Sequence, residues 1–245
     1  MPEYRTAYAM YGRRKHTMKA GMISPVLRKV RSVHLTGPEG RLEAVLNEGS
    51  PDAPFAALVC HPHPPSGGTM HNKVVYNAMK VMNSPEWGLE WPVLRFNFRG
   101  TGLSEGSHDG SAEAGDVDAA IEWLKSEYSH PIVAVGFSFG AAMTLAACCK
   151  CRRSEAIRAV VALGLPIEAN HRLYEHPYLS DCDLAKLFLS GDRDKFAPRE
   201  KLVSVIERAA QPRRTIFVEG ADHFFTGRLE AMRHELATWL KELEP

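Results

Sequence analysis

Within "VAVGFSFGAAM" (133–143), Ser138 stands between glycines two residues to either side, where an apolar β-branched run gives way at once to a small-residue segment. A serine hydroxyl is a poor nucleophile near neutral pH, so chemistry at this position needs a base to take its proton and a carboxylate to orient that base. Both partners are expected downstream, each just after a later strand. In "LFLSGDRDKFAP" Asp194 precedes a loop whose Pro198 opens the next helix, and in "TIFVEGADHFF" His223 falls in a loop before the final helix. Asp192 competes for the acid role, but so close to its strand it is expected to point sideways and cap the turn. Among the eleven histidines, His234 is the only other one beyond the last predicted strand, and it is predicted to lie mid-helix.

A nucleophile at such a corner needs small neighbours, which explains Gly136, Gly140, Ala141 and Ala142. A helix beginning there aims its first N–H groups at the same spot and favours an anion. A tetrahedral oxyanion needs two backbone donors. One is the N–H of Phe139, the residue after the serine. The other is expected from "CHPHPPSGGTMHNKVV" (60–75), where Pro62, Pro64 and Pro65 have no N–H to give. His63 is therefore the expected donor, with Ser66 and Gly67 in reserve.

Other chemistries fit less well. His61, His63 and His71 could suggest zinc, but no Asp or Glu follows at ligand spacing in that loop, so no metal is expected. "SGGT" lacks the lysine and spacing of a phosphate loop, and no cofactor is expected. Cys148 and Cys151 make a CxxC late in a predicted helix, without a second pair or thioredoxin-like surroundings. This pair therefore reads as ordinary helix packing in a reducing compartment. In "RFNFRGTGLSEGS" (95–107), Arg99 reads as a scaffold tie to carboxylates rather than a substrate clamp, and Ser104 and Ser107 lack the strand-to-helix corner of a nucleophile. Glu113, Asp116 and Asp118 gather in the first turns of a predicted helix, where acids suit the dipole.

These residues need a scaffold that delivers them to one edge. "VLRKVRSVHL" (26–35) and "RLEAVLN" (41–47) alternate around "TGPEG" and predict an antiparallel hairpin. Short, mostly continuous apolar runs at 55–61, 92–98, 131–137, 157–164, 184–191 and 214–220 predict strands covered on both faces. Helical periods lie at 72–83, 114–128, 139–150, 199–210 and 228–243. The alternation predicts an α/β fold with a mainly parallel twisted sheet of about eight strands and helices on both faces. With 245 residues, 44% apolar and 24% charged, the chain can close a substantial core, and one domain over 25–245 is expected.

A formal net charge of +1 offers no general field for nucleic acid. No apolar run is long enough for a bilayer crossing and no signal-peptide core is evident, so the expected location is cytoplasmic, with no membrane partner. Residues 1–24 are basic, carrying five Lys or Arg against Glu3 alone, and read as a loosely ordered extension. A transit peptide, a partner-binding arm, or upstream sequence ahead of an alternative start at Met22 are the other readings.

From about residue 27 onward the chain resembles an α/β-hydrolase. "HPHPPSGGTMHNKVV", "RFNFRGTGLSEG" and "GFSFG", in that order, are similar to a group of small, lidless dienelactone-hydrolase-like or peptidase-like proteins within that superfamily. The resemblance implies the nucleophile, acid and base roles for Ser138, Asp194 and His223 and oxyanion donors at His63 and Phe139. Dienelactone hydrolases proper use a cysteine where this chain has serine. Only 19 residues (165–183) separate the strands predicted at 157–164 and 184–191, so a minimal cap and a shallow, water-accessible cleft are expected. The expected reaction is acyl transfer to water, the partners being a small acyl substrate and water. Small carboxylic esters come first, thioesters second, amides or peptides third. A catalytically silent scaffold of the same fold is the alternative.

Overall fold

The structure is a computed structural model and describes residues 29–150, 156–169 and 172–245. The basic segment 1–24 and Cys151 lie outside the described residues.

β1 (Val30–Gly37) and β2 (Gly40–Asn47) pair antiparallel. The series continues with β3 (Ala56–Cys60), β4 (Val93–Phe96), β5 (Ile132–Phe137) and β6 (Ile157–Leu163). Two short strands, β7 (Glu168–Ala169) and β8 (Arg172–Leu173), form a separate ribbon before β9 (Ala185–Gly191) and β10 (Arg213–Val218) complete the main sheet. Its eight strands run in the order β1-β2-β4-β3-β5-β6-β9-β10. The pairs β1–β2 and β2–β4 are antiparallel and the other five are parallel. This is the predicted mainly parallel sheet of about eight strands with its hairpin at one edge.

The apolar runs are continuous because the sheet is covered twice. In β3 every residue is buried, and Ala56, Leu58 and Cys60 join one core layer while Ala57 and Val59 join the other. The first layer packs under α2 (Ala114–Glu127), α3 (Phe139–Lys150) and α4 (Arg199–Ile206), the second under α1 (Lys73–Asn83) and α5 (Leu229–Leu240). A period-2 strand thus feeds two apolar surfaces at once. α4 is shorter than its predicted 199–210, because after Ile206 the chain tightens into i→i+3 bonds from Arg208 and Ala209.

The stretch 165–183, expected as a minimal cap, carries short elements among its described residues. After the β7–β8 ribbon a 3₁₀ turn (Pro177–Asp181) lies on α3, where the Tyr178 hydroxyl donates to the Ala142 carbonyl at 3.3 Å and Leu179 is buried. Two-residue strands have no readable period, so the sequence carries no sign of the ribbon. The same return brings Cys182 to Cys149 near the end of α3, with Cα atoms 5.1 Å apart and the sulfurs bonded. The expectation of helix packing concerns Cys148 and Cys151, and it does not foresee a bond between Cys149 and Cys182. The partner is 33 residues away, beyond the reach of any local pattern. Cys60 and Cys148 remain free and buried.

Candidate active site

The corner between β5 and α3 holds Ser138 at φ +56°, a left-handed conformation that a non-glycine residue adopts only where its surroundings enforce it. Its N–H donates to the Leu163 carbonyl on β6, and its own carbonyl accepts from Ala141 and Ala142. The flanking glycines are steric requirements. A Cβ on Gly136 would lie 2.3 Å from the Gly140 carbonyl oxygen, and one on Gly140 would lie 2.5 Å from those of both Cys60 and His61. α3 therefore crosses the end of β3 at backbone contact. Gly140→Ala is expected to force β3 and α3 apart at a cost of about 2–3 kcal/mol. The corresponding fall in Tm is roughly 5–10 °C, with activity declining alongside; a thermal melt within a degree of the parent would refute the argument.

The structure brings the three expected side chains together. The His223 Nε2 is 2.8 Å from the Ser138 Oγ, and its Nδ1 is 2.7 Å from the Asp194 Oδ2. With Nδ1–H donating to the carboxylate, Nε2 presents its lone pair to the hydroxyl. An imidazole so placed can accept the proton of Ser138 while the carboxylate stabilises the charge it acquires. All three residues are largely buried. Asp194 is oriented from behind: its Oδ1 accepts from the N–H groups of Phe196 and Ala197 at 2.8 and 3.2 Å, and the Ser190 hydroxyl donates to Oδ2. The imidazole is caged by rings, Phe196 and Phe224 meeting it edge-on at 4.6 and 5.1 Å and Phe137 lying tilted against it at 5.1 Å. Asp192 does what its position suggested, accepting from the Gly220 N–H at 2.8 Å and tying the end of β9 to the end of β10.

Across the cleft, His63 precedes a 3₁₀ turn, Pro64–Ser66. The loop closes back on itself, with the N–H groups of Ser66 and Gly68 donating to the His63 carbonyl. A Cβ on Gly68 would sit 2.0 Å from the Pro62 carbonyl oxygen, so only glycine permits that closure. The N–H of Phe139 stands at the first turn of α3, where helix geometry leaves amides without intrahelical acceptors. The ring of His63 meets that of Phe139 edge-on at 5.5 Å, and burial holds the His63 imidazole below its usual pKa. The resulting cleft, of about 90 Å³, is lined by His63, Gly67, Ala169, Tyr174, Phe196 and Phe224 among others, together with Ser138 and His223.

Two further histidines do work that local sequence did not reveal. His61 is fully buried. The Phe98 N–H donates to its Nε2 at 3.0 Å, so the ring proton is on Nδ1 and donates to the Pro62 carbonyl at 2.6 Å. Burial pushes its pKa down to about 4, keeping this strut of the loop neutral. Both its ring nitrogens are thereby occupied within the protein. His108 is the second. Its Nδ1 lies 2.6 Å from an oxygen of Glu113, which is itself fully buried and accepts from the N–H groups of Asp109 and Gly110. The His108 ring packs edge-on against His63 at 4.9 Å and against Phe139 at 5.5 Å. Glu113 stands at the N-cap of α2, at the end of the helix where an acid was expected to suit the dipole, and it also supports the wall behind the two expected oxyanion donors. A carboxylate at the residue just before a helix looks like ordinary dipole chemistry, so nothing local distinguishes its second role.

The remaining polar motifs are scaffold. Arg99 spends its guanidinium on Asp116, Glu39 and the Ala112 carbonyl. Ser104 donates to the Asn97 carbonyl and accepts from the Glu43 N–H, which leaves it no nucleophilic role. No helix among the described residues is long and apolar enough to cross a membrane.

The model of the alpha/beta hydrolase domain family matches residues 69–242. An uncharacterized protein of Rickettsia prowazekii is 36% identical over 219 residues, covering 85% of this chain and 87% of that one. Among solved structures, an alpha-beta serine hydrolase homologue from Coxiella burnetii superposes with a TM-score of 0.76 at 30% identity, covering 86% of this chain and 97% of its own. A serine hydrolase without a lid from Xanthomonas campestris gives a TM-score of 0.73 at 28% identity, with coverages of 89% and 97%. Matched by the family's model over most of its length, the chain belongs to the α/β-hydrolase family.

Proposed function

We propose that the protein is a serine hydrolase that cleaves small carboxylic esters through an acyl-serine intermediate. The observation that carries this reading is the continuous Asp194–His223–Ser138 hydrogen-bond line, with contacts of 2.7 and 2.8 Å, ending on a hydroxyl at a strained corner. His223 takes the Ser138 proton as Oγ attacks the ester carbonyl. The N–H groups of His63 and Phe139 receive the oxyanion. As the tetrahedral adduct collapses, the ester C–O bond breaks and His223 protonates the departing alkoxide. Water, deprotonated in turn by His223, then attacks the acyl-serine and releases the carboxylate. A cleft of about 90 Å³ beside the serine suits short acyl groups.

Incubation with a fluorophosphonate probe, alongside hydrolysis of p-nitrophenyl acetate and butyrate, tests the reading. The wild-type protein is expected to be labelled once and to turn over both esters, with Ser138→Ala silent in each assay. A wild-type protein that neither labels nor hydrolyses would make the fold a scaffold whose site performs no chemistry.

A further inference from the structure

A second and larger cavity, of about 500 Å³, opens between the 165–183 excursion and α4. That volume is within the range of small-molecule sites. Its apolar walls are Ile167, Leu173, Tyr174, Pro177, Leu179 and Val205, with the charged side chains of Glu175 and Arg208 exposed. The buried His176 also lines it but brings no charge, since burial pushes its pKa down to about 4. Both ring nitrogens are engaged, Nδ1 with the Tyr178 hydroxyl at 3.0 Å and Nε2 with the Pro166 carbonyl at 3.2 Å.

This cavity adjoins the reacting groups. Tyr174 lines both it and the serine cleft. Ile167, on the far wall, donates its N–H to the carbonyl of Phe196, and the Phe196 ring packs against His223 at 4.6 Å. The cavity therefore adjoins the cleft at Tyr174 and on the side of Phe196, the residue packed against His223. His223 is the group that hands a proton to the departing oxygen. The part of an ester that leaves on that side is its alcohol. The two volumes differ more than fivefold, so a substrate spanning both has a small acyl group and a much larger alcohol.

We propose that the second cavity receives the apolar portion of the leaving alcohol, making the substrate class short-chain carboxylic esters of bulky apolar alcohols. This rests on the esterase reading above and narrows it. Hexyl acetate and ethyl hexanoate are constitutional isomers, equal in carbon count and both with poor alkoxide leaving groups. A preference between them reports which side of the carbonyl the protein accommodates. Each methylene buried is worth roughly a fourfold gain in binding.

The kcat/KM values for ethyl acetate, hexyl acetate and ethyl hexanoate are therefore to be compared. Hexyl acetate is expected to exceed both other esters by at least tenfold. Val205→Trp, which fills the cavity from α4, is expected to bring the hexyl-to-ethyl acetate ratio towards one. Leu173→Ser, at an exposed wall position where truncation spares the core, is expected to lower that ratio severalfold should the tryptophan variant fold poorly. Equal rates for the two isomers, a preference for ethyl hexanoate, or a hexyl preference that both variants leave intact would overturn the assignment. If the wild type turns over none of these esters and resists fluorophosphonate, the esterase reading itself fails; if it turns over all three without distinction, only the cavity assignment does.

Discussion

Ser138→Ala is expected to lower kcat for p-nitrophenyl acetate by about five to six orders of magnitude, the loss typical when a nucleophile acting as part of a coupled unit is removed. Alanine keeps a Cβ at the strained φ of +56° and adds no atoms, so the corner should persist and the melting temperature should barely move. What disappears is the hydroxyl 2.8 Å from His223 Nε2. The residual rate comes from whatever the oxyanion donors and binding still supply. Neither Ser104 nor Ser107 can substitute. The first is buried in hydrogen bonds to Asn97 and Glu43, and the second is in the outer turn where its N–H meets Glu39. Steady-state kinetics together with a fluorophosphonate titration measure the effect, and a loss smaller than about a hundredfold would mean that another group attacks.

Asp194→Asn is expected to cost about 10⁴ in kcat, whereas Asp192→Asn should change it by no more than a few-fold. The two acids are separated by a single residue but hold different partners. At 194 the amide would keep an oxygen for the Phe196 and Ala197 N–H groups and turn its NH₂ toward His223 Nδ1. That arrangement favours the tautomer with the proton on Nε2, which cannot accept from the serine. At 192 the asparagine oxygen can still accept from the Gly220 N–H, preserving the tie between β9 and β10. Parallel kcat measurements on the two variants decide between the carboxylates; a larger loss at 192 would reverse the roles assigned here.

Much of this was legible because the determinants are local. Continuous burial of β3 and β5 follows from helices on both faces, and it appears in the sequence as unbroken apolar runs. The elbow is legible for a related reason: Gly136 and Gly140 are demanded by contacts at one corner, so they fall at fixed spacing around Ser138. His223 and Asp194 could be located because parallel strands deliver their following loops to one edge of the sheet.

Other features depend on which distant segments meet. His108 gains its meaning from Glu113 on one side and from the rings of His63 and Phe139 on the other, and those four residues come from three separate stretches of chain. The 19 residues of the excursion contain no period, yet they supply the β7–β8 ribbon, the Cys149–Cys182 bond and Tyr174, which lines both cavities. The sequence by itself determined the alternation of strands and helices, the position of the corner and the order along the chain of Ser138, Asp194 and His223, since these follow from local periodicity and local steric need. Only the tertiary structure set Asp194 rather than Asp192 beside His223, placed His61 and His108 behind the cleft and set the sizes of the two cavities, because those outcomes depend on directions and distances between segments that periodicity does not encode.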